Sequence, residues 1–228
     1  MNWLLDLTPD EWNAVRLSIK VATVAMIASL PPGILIALVL ARGRFWGKTL
    51  LNGLVHLPLI LPPVVTGYLL LLTFGRRGPA GAFLAEHFGI VFSFRWTGAA
   101  LACGVMGFPL MVRAIRLSIE AVDRKMEAAA GTLGANPIWV FATITLPLIL
   151  PGILSGLLFA FATSFDEIIV SLFITNPYLK TLPVQIFSSI TRDADPTVAA
   201  VGTILLCATT ILIGGGMLLL GRERKGRL

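Results

Sequence analysis

The sequence predicts an all-α, polytopic membrane helical bundle of about five transmembrane helices, with one short additional helix on the cytoplasmic side. Three observations carry this prediction. Of 228 residues, 56% are hydrophobic and only 13% are charged, and the mean hydropathy of +0.87 lies outside the range of ordinary soluble domains. Apolar stretches of about 20 residues, the length a helix needs to cross roughly 30 Å of hydrocarbon, recur with their charges at the ends. These stretches also lack the two-residue alternation of barrel strands, and in lipid only helices or closed barrels satisfy every backbone group.

The first span is expected over Val21 to Ala41 and the second over Gly53 to Gly75. The third runs from Thr97 to Val112 with a few residues of continuation, the fourth from about Leu148 to Ile174, and the fifth from Pro196 to Gly221. The segment from Ala80 to Arg95 carries Glu86, His87 and several aromatics, and reads as an interfacial loop or short surface helix. Pro31-Pro32, Pro62-Pro63, Pro109, Pro147 and Pro151 punctuate the spans. A proline in a lipid-embedded helix removes a backbone donor and kinks the helix, which is tolerable where neighbours or water satisfy the freed carbonyl. Gly152 with Gly156, and Gly214 to Gly216, suit close helix contact. A single transmembrane domain over 1–228 is expected, with its core at about 14–221.

Orientation follows from lysine and arginine asymmetry. With the loop after the first span inside, Arg42, Arg44, Lys48, Arg113, Arg116, Arg124, Lys125, Arg222, Arg224, Lys225 and Arg227 all face the cytoplasm, eleven of the 18 basic residues. The N-terminus is then outside and the C-terminus inside, in a multi-pass protein of the cell's inner membrane. Arg76, Arg77 and Arg95 run against this bias. In a lipid-embedded chain the formal charge of +6 marks cytoplasmic loops, so nucleic acid is not an expected partner.

Cys103 and Cys207 sit in apolar runs far apart, without a CxxC or a histidine pair, and read as small buried hydrophobes; no metal site is indicated. The start, with Asp6, Asp10 and Glu11, lacks the basic region and cleavage site of a signal peptide. His56 and His87, placed in two loops or loop edges, read as incidental. Gly43-Arg44-Phe45-Trp46-Gly47-Lys48-Thr49 has three residues between its glycines where a phosphate loop needs four, and no strand precedes it. It reads as a positive anchor with Trp46 at the interface. No nucleophile or acid–base constellation is visible, so an enzyme is not expected.

The loop at about 120–147 is the most informative segment. It contains Glu127-Ala128-Ala129-Ala130-Gly131-Thr132-Leu133-Gly134, continues through Ala135-Asn136-Pro137, and reaches Ile144-Thr145-Leu146-Pro147. Asp123 can cap a short helix, the alanines favour its interior, and Gly134 with Pro137 is a stop signal. The small side chains let another protein approach closely, with Arg124, Lys125 and Glu127 offering charged contacts at the rim.

This spacing resembles the EAA loop of importer permeases of the ATP-binding-cassette superfamily, matching each of its fixed positions with Thr132 in the small-residue slot. The resemblance implies a MetI-like permease fold, in which this loop docks as a coupling helix on a separate ATPase subunit. The residues concerned are Glu127, Ala128, Ala129, Thr132, Leu133, Gly134, Ala135, Asn136 and Pro137. ATP and Mg then belong to that partner, and the chain itself binds no cofactor. An external solute-binding protein is implied as a further partner, with the permease as a homodimer in the lipid bilayer. About five spans are few for a complete gated pathway.

From the N-terminus to about Ser155 the chain resembles molybdate importer permeases, through the stretch His56 to Tyr68, Gly75-Arg76-Arg77-Gly78, and Met106 to Arg116. The last third, with Ser164-Phe165-Asp166-Glu167 and Thr181 to Ile190, looks like permeases of polyamine-type importers. Carboxylates inside a span are costly and point to function. Asp166 and Glu167 either line the pathway, together with Ser164, Thr66 and Tyr68, or pair with a basic residue or water at the interface. An ionised pair repels an oxyanion and attracts a polyamine. The longer match favours molybdate or a related oxyanion; the spermidine or putrescine class is the alternative. A stand-alone secondary transporter would show inverted repeats with broken helices in matching halves, and none is seen.

Overall fold

The structure, a computed structural model, describes residues 9–170 and 181–192. Among these residues the secondary structure is helical, without strands: α1 (Pro9–Arg42), α2 (Lys48–Ile60), α3 (Pro63–Phe74), α4 (Pro79–Phe88), α5 (Trp96–Ala121), α6 (Arg124–Thr132), α7 (Pro137–Val140), a π-helical turn (Phe141–Thr145), α8 (Leu146–Asp166) and α9 (Leu182–Arg192). By its contacts the chain divides into Met1–Gln185 and Ile186–Leu228, and the packed bundle belongs to the first unit. The expected fifth span, Pro196 to Gly221, Gly214 to Gly216 and Cys207 lie outside the described residues.

Among the described residues, three helical stretches are long and apolar enough to cross a membrane: Trp12–Arg42, Trp96–Ala121 and Pro137–Ser164. They correspond to the first, third and fourth expected spans, with different bounds. The first begins earlier, the third runs on to Ala121, and the fourth ends at Asp166 because Glu167 turns extended (φ −84°, ψ 99°).

The second expected span is corrected. Gly53 to Gly75 is not one rod but two helices, α2 and α3, bent by 113° at Leu61–Pro62. The cause is local: each proline disfavours helical geometry in the residue before it, and Leu61 and Pro62 are accordingly extended, with ψ of 144° and 135°. Each half, 13 and 12 residues long, reaches only about 18–20 Å. Pro31-Pro32, by contrast, lies within an unbroken α1, whose far end is packed around buried Ala37 and Leu40. The segment after α3 is the anticipated short helix, α4, and His56 and His87 stand within helices rather than loops. Each donates Nδ1–H to a carbonyl one turn back, Asn52 and Phe83 respectively.

The core forms where α1, α5 and α8 meet, around Leu40, Met111, Ile115, Ile119 and Ile149, all fully buried. Lipid is as apolar as these side chains, so close packing rather than water exclusion holds the helices together. A Cβ on Gly107 would come 3.0 Å from Ala160 Cα, and one on Gly156 would come 3.1 Å from the Met111 carbonyl. Gly152 is against Ser118 and Ala114 in the same seam. Ile27, Leu35, Leu154, Leu158 and Phe159 stay exposed, as side chains facing lipid do. Cys103 is buried beside Val21 and Ala25, as expected of a small hydrophobe. At the end where α5 begins, Lys20 Nζ lies 3.9 Å over the Trp96 ring.

Candidate functional site

At the opposite end of the bundle the expected loop folds as a helix–turn–helix. Asp123 caps α6 by accepting from the Lys125 N–H at 2.9 Å. The helix closes at Gly134, whose φ of +83° is a left-handed conformation that suits glycine. Ala135 N–H donates to Ala130 O at 3.2 Å and Gly134 N–H to Gly131 O at 3.0 Å, the paired bonds of a Schellman closure. Asn136 Oδ1 then accepts from Ile138 N–H at 3.1 Å and Pro137 opens α7. Local chemistry thus fixes both helix ends and the turn between them.

Glu127 does not stand free at the rim. Its Oε1 accepts from Arg42 Nη2 at 2.8 Å and from Thr145 Oγ1 at 2.7 Å. One carboxylate oxygen therefore joins α6 to the last residue of α1 and to the π-turn that leads into α8. Arg116, near the end of α5, bonds both Glu120 and Asn52 of α2 at 2.7 and 3.1 Å. The loop sits where the ends of α1 and α5 meet the starts of α2 and α8.

The outward surface of the loop is small and apolar. Ala128, Ala129 and Gly131 are exposed, and Thr132 turns its hydroxyl back to Ala129 O at 2.7 Å. Leu133, Ile138 and Trp139 are 88%, 77% and 67% exposed. Ile138 and Trp139 were not singled out from sequence, and Arg42 and Thr145 were not read there as partners of Glu127. Large apolar residues flanking the turn of the loop, and an arginine closing the first span, were the available signals. The π-turn had none.

The pathway candidates are not gathered in the same way. Thr66 is buried in the first turn of α3, with Oγ1 3.5 Å from Pro62 O, whereas Tyr68 on the same helix is exposed. Ser164 is buried and donates to Ala160 O at 2.9 Å. Of Asp166 only the backbone, the last residue of α8, is described. Glu167 is buried, and its Oε1 accepts from Val170 N–H at 2.9 Å. Thr66, Ser164 and Glu167 thus each bond to backbone groups.

A bundle of apolar helices with a capped loop at one end defines a multi-pass membrane protein. The chain belongs to the family described as binding-protein-dependent transport system inner membrane component, whose model matches residues 33–225, and is therefore a transport subunit. It is 49% identical over 227 residues to the molybdenum transport system permease protein ModB of Escherichia coli (strain K12), covering 97% of this chain and 99% of that one. It is 34% identical over 229 residues to the putrescine transport system permease protein PotI of the same strain, covering 99% and 79%. A crystal structure of an amino acid ABC transporter with histidines superposes with a TM-score of 0.58 at 19% identity, covering 92% of this chain and 94% of that one. That last likeness concerns the fold, and it agrees with the MetI-like helical architecture expected from the sequence.

Proposed function

We propose that this chain is the permease subunit of an ATP-binding-cassette importer for molybdate or a related oxyanion. The single observation carrying the substrate is the near-full-length identity to ModB, which extends through the last third, where the sequence alone resembled polyamine permeases. The assembly is a dimer of this chain with its N-terminus outside, an ATPase pair on the cytoplasmic side and a binding protein outside.

The α6–α7 loop is the coupling element. Leu133, Ile138 and Trp139 form an exposed apolar surface on a loop rich in small residues, the kind of face that anchors a partner by desolvation. Movement of a docked ATPase passes through Glu127 to α1 and to the π-turn before α8. ATP and Mg are bound by that partner and solute is selected by the binding protein.

The polyamine reading has the PotI relative and the Asp166-Glu167 pair behind it. Engagement of Glu167 with the Val170 backbone detracts from its use as a free cation ligand. Uptake by the reconstituted complex separates the two: molybdate accumulation, competed by tungstate, is expected. Putrescine or spermidine accumulation without competition by tungstate would reverse the assignment.

A further inference from the structure

At the end of the bundle away from α6, a cavity of about 770 Å³ opens between the turn after α3 and the segment before α5. Its lining includes Arg76, Arg77, Ser93, Phe94 and Arg95, and no carboxylate among the described residues. The separation from the coupling loop is large, because α5 runs 26 residues between the two, about 39 Å. We propose that Arg76, Arg77 and Arg95 form an oxyanion-collecting vestibule at the outer mouth of the permease. The substrate identity and the outer placement rest on the function proposed above; the site itself rests on the following geometry.

The arginines are held by a tight backbone. Gly75 N–H donates to Leu71 O and Gly78 N–H to Gly75 O, both at 2.8 Å. A Cβ at Gly78 would strike the Leu72 and Thr73 carbonyls, and one at Gly81 those of Phe74 and Gly75. On the facing segment Phe94 has a φ of +57°, a left-handed conformation costing a non-glycine residue about 1–2 kcal/mol. Strain of this kind collects at functional sites. Ser93 Oγ is buried and has no hydrogen-bond partner among the described residues, although an unpaired buried hydroxyl is costly.

Among the described residues, no ion pair engages these arginines. The two ion pairs among the described residues, Arg42–Glu127 and Arg116–Glu120, lie at the other end of the molecule. Three exposed guanidiniums at this end oppose the lysine and arginine bias of the chain. Guanidinium matches the oxygens of a tetrahedral oxyanion with paired donors, and a recess of one sign concentrates counter-ions. The cavity far exceeds one such ion, so it gathers oxyanions rather than gripping one. A lipid phosphate presents related chemistry.

The test uses the full permease, ATPase and binding-protein complex in phosphatidylcholine vesicles, with Cys103→Ala and Cys207→Ala as background. Relative to wild type, Arg76→Gln/Arg77→Gln/Arg95→Gln is expected to raise the KM for molybdate uptake about tenfold and leave the maximal rate within about twofold. The corresponding triple lysine variant should recover most of the loss. Independently of transport, Leu72→Cys, on an exposed lining residue, should react faster with an anionic than a cationic membrane-impermeant thiol reagent. Added molybdate should slow that reaction, and the three glutamines should remove the preference.

A defect that appears only with phosphatidylglycerol assigns the same oxyanion site to a lipid phosphate. Unchanged KM together with no anionic preference overturns the proposal. So does a loss traced to weaker association of the binding protein, measured by co-sedimentation. A wild-type complex that moves no molybdate defeats the importer reading instead, and the labelling arm still decides the site.

Discussion

Arg42 and Glu127, 85 positions apart, meet at 2.8 Å, so the last side chain of the first membrane helix grips the loop assigned to motor coupling. Thr145 bonds the same carboxylate oxygen. The ion pair is about three-quarters shielded, and pairs of this exposure contribute on the order of 1 kcal/mol. Its value lies in position, since it ties the proposed docking surface to two spans.

Reversing one charge should therefore uncouple more than unfold. Arg42→Glu or Glu127→Arg is expected to lower uptake per ATP hydrolysed at least severalfold while costing about 1–2 kcal/mol of stability. The double reversal should restore part of the ratio. Measuring uptake and hydrolysis on the same proteoliposomes checks this; equal losses in the double and single variants would remove the pair from the coupling route.

Leu133→Asp and Trp139→Asp should weaken capture of the ATPase by the permease by at least an order of magnitude, since buried apolar anchors contribute about 2 kcal/mol or more at interfaces. Membrane insertion and melting should be unaffected, because both side chains are exposed. Wild-type yields of the co-purified complex would contradict the docking assignment.

Gly134→Val should act through the turn. A β-branched residue at φ +83° is strained by more than 1 kcal/mol, so α7 loses its orientation relative to α6. ATPase capture should fall, while Gly53→Ala, with open space at its Cβ, serves as a neutral or slightly stabilising helix-interior control. Indistinguishable capture by the two variants would count against a role for the turn.

Gly107→Val and Gly156→Val test the α5–α8 seam. Backbone atoms at 3.0 and 3.1 Å cannot yield as a flexible side chain can, so overpacking of about 1–3 kcal/mol is expected. Detergent melting curves should shift downward for both. Stability equal to that of Gly53→Ala would mean that the two helices separate more easily than their packing implies.

Much of the bundle was legible because lipid leaves a chain few choices. Apolar length marked three of the crossing helices, Asp123 and the pair Gly134 with Pro137 marked the ends of the first loop helix, and Gly152 with Gly156 marked a contact seam. The bend at Leu61–Pro62 was less legible. The same proline pair breaks one helix and is absorbed by another, and composition does not distinguish them: Pro31-Pro32 is carried within a continuous α1, whereas Leu61 and Pro62 turn extended. Glu127 was legible as a motif position but not as an internal tie, since its partners lie 85 and 18 residues away.

The sequence by itself determined that this chain lives in lipid as helices and which loop carries the motif behind the proposed docking surface. Both depend on quantities local in the chain: the length of an apolar run, a capping side chain, a glycine at a turn. Only the tertiary structure decided that Arg42 and Thr145 hold Glu127, that Glu167 serves a nearby backbone, and that three arginines share one cavity. Those relationships depend on where distant segments come to rest against each other, a property of packing that no stretch of sequence contains.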